Sequence, residues 1–263
     1  MAISEKDDIM TVRPEAMSVS FEMERLEKHR KMHEVGGLYY EVLAAIEKHM
    51  PENPQYTAET GCGRSTVFFS NLAKHHTYFC LDDRLKGEGS SVKYYEDSDL
   101  FKPENTAWVV GPTQETLPKH EHVGQYDCVL IDGPHGYPFP DLEYFYFYPH
   151  IKEGGLLIID DVHIASIGRM ADIIQEDAMW QLEEVVKTTA IFRRTPAQTF
   201  CNRADGWWEQ GYNQRRTYRS KPFFLEDGRV FQNFYDRYFS HVKKPGKGKP
   251  KGKLARLMKF LRR

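Results

Sequence analysis

Apolar and polar positions fall in blocks along this chain. Short runs rich in apolar residues recur at Tyr56–Glu59, Thr77–Leu81, Ala107–Val110, Tyr126–Ile131 and Gly155–Ile159. Apolar residues at successive positions fit strands buried on both faces. The intervening stretches follow helical spacing. Leu38, Tyr39, Val42, Leu43 and Ile46 predict a helix within His33–Met50, stopped by Pro51 and Pro54. Ser65–Lys74 sets Val67, Phe68 and Leu72 on one face, and Leu142–His150 and Ala165–Ala178 read as two further helices. Arg84–Pro103 reads as a polar loop with room for a helix, and Leu182–Thr188 and Thr189–Arg194 read as two adjacent strands. Strands separated by helices predict an α/β fold, a mostly parallel sheet with helices on both faces.

The pattern divides the chain into four parts. Residues 1–32 are a polar lead-in with a helical stretch near Phe21–His29, and residues 33–195 carry the alternation. Residues 196–242 form an appended segment rich in aromatics and Arg, with Trp207, Trp208, Arg215 and Arg216. These four are expected to pack on the body, with a cap over the site as the sharper alternative. Residues 243–263 are a basic tail, whose first part, Lys243–Lys253, is Lys, Gly and Pro and cannot form a core. It ends in Leu254–Arg263, a candidate short amphipathic helix with Leu254, Leu257, Met258 and Leu261 on one side.

Charge sharpens this division. The whole chain of 263 residues has a formal charge of −2, but the tail holds 10 Lys/Arg and no acid. Without it, 26 basic residues face 38 acidic ones, so the body stands at −12 and does not suit nucleic acid. The tail suits a polyanion, with an anionic membrane surface, nucleic acid phosphates and a merely solvated tail as its three readings. No apolar run approaches the roughly 20 residues that span a bilayer. Cys62, Cys80, Cys128 and Cys201 form no C-x-x-C pair and read as reduced thiols. The opening MAISEKDDIM lacks the apolar core of a secretory signal, so a cytoplasmic location is expected, with peripheral membrane contact through the tail.

In a parallel sheet the ligand lies beyond the carboxyl ends of the strands. Those ends carry Glu59, Asp82, Gly111, Asp132 and Asp160. Gly61 and Gly63 follow the first strand, where a backbone without Cβ can approach a ligand. Thr66 stands where a dinucleotide fingerprint wants its third glycine. An acid beside the glycines suits a cationic, amino-bearing ligand better than a pyrophosphate. Asp82, 19 residues after Gly63, can accept from both hydroxyls of a ribose, while Asp83 reads as a solvated acid at a loop start. Asp132 and the Asp160-Asp161 pair offer hard oxygens suited to Mg²⁺. Most aromatics of Tyr137–Tyr148 read as a core helix, with Tyr137 the exception worth testing.

Taken together, Glu59-Thr60-Gly61-Cys62-Gly63-Arg64-Ser65, Asp82, the Gly111–Leu117 turn, Asp127–Asp132 and Gly154–Asp161 resemble a class I S-adenosylmethionine-dependent methyltransferase over about residues 33–195. Ser65 stands where that family often has a third glycine. The resemblance implies a Rossmann-like seven-stranded sheet of order 3-2-1-4-5-7-6. It implies that Glu59, Gly61, Gly63, Ser65, Asp82 and Asp132 hold S-adenosylmethionine, with Thr113 and Gln114 on the adenine side. In the region from Asp132 to Asp161 the chain looks like Methyltransferase-24-like and metal-dependent O-methyltransferases. That likeness implies a metal on Asp132, Asp160 and Asp161, with His135 as base and His163 as its rival. The acceptor implied is a hydroxyl on a sugar, glycolipid or secondary metabolite. Two rivals remain at this point, a NAD-dependent oxidoreductase and a non-catalytic binding protein tethered by its tail.

Overall fold

The computed structural model describes residues 18–34, 36–122, 124–198 and 210–214. The segments with Trp207, Trp208, Arg215 and Arg216, and the basic tail with its candidate helix, lie outside the described residues. Among the described residues no helix is long and apolar enough to cross a membrane.

The strands are β1 (Tyr56–Thr60), β2 (His75–Cys80), β3 (Thr106–Val110), β4 (Tyr126–Ile131), β5 (Ile151–Ile159), β6 (Trp180–Val186) and β7 (Thr189–Arg194). They form one sheet of order β3-β2-β1-β4-β5-β7-β6, as expected. The first five run parallel, and β7 lies antiparallel between β5 and β6. The helices are α1 (Val19–Glu27), α2 (Tyr40–His49), α3 (Arg64–Leu72), α4 (Ser91–Glu96), α5 (Thr113–Thr116), α6 (Phe139–Phe147), α7 (Ala165–Gln175) and α8 (Gly211–Gln214).

The central strand β4 is buried along its whole length, and alternation sorts its side chains onto two faces. Val129 and Ile131, with Leu157 and Ile159 of β5, pack on one face against Phe147 of α6 and Ile167, Met170 and Ala171 of α7. Cys128 and Leu130, with Leu156 and Ile158, pack on the other against Val42, Leu43 and Ile46 of α2 and Val67 and Phe68 of α3. The two-sided core explains why these strands read as continuous apolar runs. α1 is held on α2 by Glu47, whose carboxylate accepts from Ser18, from Ser20 and from the Val19 amide at 2.6–2.9 Å.

Three boundaries differ from the sequence expectation. α2 starts only at Tyr40, late in the expected His33–Met50 stretch, because Gly36 adopts φ +84° and His33 packs against Gly63. β5 begins at Ile151, since Gly154 and Gly155 form an irregularity inside the strand rather than its start. At Gly155 a Cβ would meet the Lys152 and Tyr126 carbonyls at 2.9 and 3.0 Å. Asp83 is not solvated: it accepts from Ser90 Oγ at 2.6 Å and from the Ser91 and Val92 amides at 3.0 and 3.2 Å, fixing the start of α4. Against the upward pull of partial burial, those bonds hold its pKa down to about 2.

Candidate active site

The ends of β1, β4 and β5 are in register, with Thr60 beside Ile131 and Ile131 beside Ile159. Residues just past these positions therefore meet on one rim. The β1–α3 turn needs its glycines. Gly61 has φ +97°, and a Cβ there would stand 2.9 Å from the Asp132 carbonyl. Gly63 has φ +147°, and a Cβ would stand 2.5 Å from His33 Nε2. Such a cradle lets a ligand lie against bare backbone.

Glu59 lies beneath this turn, with no exposed surface. Its Oε1 accepts from the Thr66 hydroxyl and lies 3.1 Å from His76 Nε2. Thr66 Oγ1 in turn accepts from the Gly63 amide at 2.9 Å. Glu59 Oε2 has no hydrogen-bond partner among the described residues. Glu59 thus holds the loop through Thr66 and keeps its other oxygen open. Ser65 is buried in the first turn of α3.

Asp82, past β2, is exposed and carries a bidentate pairing with Arg84, at 2.9 Å from Nε and 2.6 Å from Nη2. The pairing holds the Asp82 pKa below its ordinary value. Arg84 also lies over the Trp108 ring at 5.1 Å. After β3, Thr113 is buried and Gln114 exposed. Neither touches the acidic groups at the tips of β4 and β5 through a hydrogen bond described for them.

At those tips the expected acids separate. Asp132, His135 and Asp161 come together, with one ligand atom from each lying within 4.8 Å of the others. His135 Nε2 is 3.6 Å from Asp132 and 3.2 Å from Asp161. Desolvation, with help from the Asp160 charge and against the His135 hydrogen bond, pushes the Asp132 pKa up to about 7. Asp132 in return raises the His135 pKa. Asp160 turns away and accepts from Thr189 Oγ1 of β7 at 2.5 Å. It lies outside the group formed by Asp132, His135 and Asp161, so of the three acids expected to hold a metal the structure brings two together with His135. The cause is local: Asp161 takes φ +54°, so two consecutive acids point in different directions. His163 Nδ1 lies 3.4 Å from Asp161, at the edge of the same group. Tyr137 is 76% exposed beside this loop, while Phe147 and Tyr148 are core.

Sequence reasoning missed three residues. Glu143 of α6 is buried and accepts from Thr60 Oγ1 at 2.9 Å, and Thr60 Oγ1 accepts from the Asp132 amide at 3.1 Å. Burial pushes the Glu143 pKa up to about 8. Its signal was helical spacing, because Pro140, Glu143 and Phe147 share the buried stripe of α6. His76, in the buried core of β2, binds Glu59. His33 packs against Gly63 with neither ring nitrogen partnered among the described residues, and burial lowers its pKa to about 4. Nothing in the sequence marked either histidine. A polar cleft of about 440 Å³ at the other end of the sheet, lined by Gln125, Lys152, Glu153 and Arg194 among others, holds none of the expected residues.

Comparison with known proteins agrees with this geometry. A family profile described as a methyltransferase domain matches residues 58–162, from β1 to the loop after β5. No curated protein matches the chain in sequence. Among solved structures, a putative O-methyltransferase from Klebsiella pneumoniae superposes with a TM-score of 0.50 at 12% identity, over 70% of this chain and 92% of that one. The O-methyltransferase TomG from Streptomyces achromogenes, solved with S-adenosylmethionine and involved in tomaymycin synthesis, gives 0.48 at 10%, over 71% and 92%. The first of these likenesses shows a shared fold. A methyltransferase domain, matched over residues 58–162, thus spans the glycine turn and the acidic rim, on a sheet closed by an antiparallel seventh strand.

Proposed function

We propose that this methyltransferase acts on a hydroxyl oxygen of a small acceptor, a sugar, glycolipid or secondary metabolite, with a divalent cation held at the rim. The observation that carries the reading is the convergence of Asp132, His135 and Asp161 beside the glycine turn. Two carboxylates are a donor set that Mg²⁺ or Mn²⁺ accepts, the imidazole adding a ligand for Mn²⁺ rather than Mg²⁺. Desolvation and like charge make the ionised form of Asp132 costly, and a cation there offsets both. Bound at that point, the cation would lower the pKa of an acceptor hydroxyl.

The donor side is read from the glycine cradle and the unpartnered oxygen of Glu59, which fit the amino-bearing end of S-adenosylmethionine. That cofactor supplies a methyl group on a sulfonium. Asp82 is the residue proposed for its ribose, Thr113 and Gln114 for the adenine side. His135 Nε2 faces two carboxylates, and His163 offers a second imidazole within reach of Asp161. Either can take the hydroxyl proton, and His163 alone remains free to do so when His135 ligates the cation.

The test is transfer of labelled methyl from S-adenosylmethionine to a panel of glycans and phenolic or aliphatic alcohols, with Mg²⁺ and with EDTA. Turnover that needs the cation and is lost in Asp132→Asn supports the reading. Full turnover in EDTA removes the cation, and methylation confined to nitrogen acceptors removes the oxygen assignment. For the basic tail, on composition alone, we propose an anionic membrane surface as partner. Sedimentation with phosphatidylserine vesicles, but not phosphatidylcholine vesicles, is the expected result.

A further inference from the structure

We propose that His76 is a positioning residue that sets the charge and direction of Glu59, and through Thr66 the Gly63 amide, so that the glycine turn is tuned from inside β2. The inference rests on the reading that this turn holds the cofactor. Four bonds form an unbroken chain. Thr57 Oγ1 lies 2.9 Å from His76 Nδ1, and His76 Nε2 lies 3.1 Å from Glu59 Oε1. The Thr66 hydroxyl donates to the same Oε1 and accepts from the Gly63 amide. Thr57, Glu59, Thr66 and His76 are all at 0–1% exposure, so water does not complete the set.

Directionality fixes the protons. The Gly63 amide can only donate, so Thr66 Oγ1 accepts there and its single hydrogen goes to Glu59. Glu59 Oε1 therefore acts as an acceptor, and His76 Nε2 must bring the hydrogen. Nδ1 is then bare and takes the Thr57 hydroxyl. Glu59 Oε1 then accepts twice, from Thr66 and from His76. The ring is clamped by Phe69, stacked at 5.2 Å, and by Tyr78 at 6.3 Å, which leaves it no rotation. The result is a carboxylate with one oxygen fully engaged and the other, Oε2, presented without a protein partner. Cys62, Cys128 and Asp132 are the other titratable groups whose charge couples to Glu59.

The test uses the full chain, S-adenosylhomocysteine titrated by calorimetry, and His76→Phe, His76→Gln and Thr57→Val. His76→Phe keeps the stacking but removes the N–H. Its affinity is expected to fall by about tenfold. His76→Gln, which keeps a donor, is expected to recover most of it. A deficit that Gln does not recover would mean simple packing damage and overturn the proposal. So would unchanged affinity in His76→Phe. Should His76→Phe fail to fold, Thr57→Val carries the test: a several-fold loss is expected, and wild-type affinity overturns the relay. Imidazole ¹⁵N spectra of the free protein give an independent reading, the neutral Nε2-protonated ring being expected and a doubly protonated ring refuting it. A wild type that does not bind S-adenosylhomocysteine sinks the cofactor reading instead, and the spectra still decide the relay.

Discussion

Replacing Glu143 by Gln should make this protein more stable, and increasingly so as pH rises. Glu143 is 1% exposed, and burial lifts its pKa from 4.5 to about 8. The folded state therefore favours the protonated acid. The stabilisation is complete below pH 4.5, where the unfolded chain is protonated too, and is lost as pH climbs towards 8. At about 1.36 kcal/mol per pH unit, the wild type gives up less than about 1 kcal/mol by pH 5, about 3 by pH 7 and about 4.5 by pH 8.5. Gln copies the neutral acid in shape. Its oxygen can take the Thr60 hydroxyl, and its amide group faces the otherwise unpartnered oxygen of Thr113. Urea unfolding of both proteins at pH 5, 7 and 8.5 measures the difference directly. The gap should open by at least 2 kcal/mol between the first two conditions. Stability curves that run parallel across this range would refute the account of Glu143 as a buried, neutral acid.

Other perturbations separate structure from chemistry. Asp83→Ala should cost about 2 kcal/mol near neutral pH, from the fall of its pKa from 3.8 to about 2. Because the folded pKa is depressed, that contribution is present above pH 4 and disappears as pH drops through 2, which urea unfolding at pH 7 and pH 2.5 can follow. Asp132→Asn and Asp161→Asn should each weaken Mn²⁺ binding, read by electron paramagnetic resonance, by about tenfold or more. Asp160→Asn should leave that binding near wild type while lowering the melting temperature, since Asp160 is tied to Thr189. Gly63→Ala should lose about 1–3 kcal/mol and its affinity for S-adenosylhomocysteine. Adding His33→Ala should restore part of the stability, because the new Cβ would collide with that ring.

Sequence and structure agree where one physical signal dominates. The parallel sheet was legible because burial on both faces leaves a run such as Tyr126–Ile131 with no polar interruption. Strand ends were legible because the chain turns polar there, and so the rim could be named before it was seen. What failed depended on backbone direction. Asp160 and Asp161 are adjacent and chemically identical, and only the left-handed conformation at Asp161 decides which joins His135. His76 and His33 come from a core strand and from a segment ahead of the sheet, and their partners are 17 and 30 positions away along the chain. No local pattern encodes such a pairing.

Gly61 leaves less than the width of a methyl group to the carbonyl of Asp132. On the proposed reading, a methyl donor on the glycine turn and a recipient at Asp132 would share a single wall, one peptide thick. Neither pocket can be enlarged at that wall without shifting its neighbour. Room for a bulkier recipient has to come from elsewhere on the rim, and Gly136–Pro138, exposed throughout and just past His135, is the stretch that can be rebuilt without touching that wall.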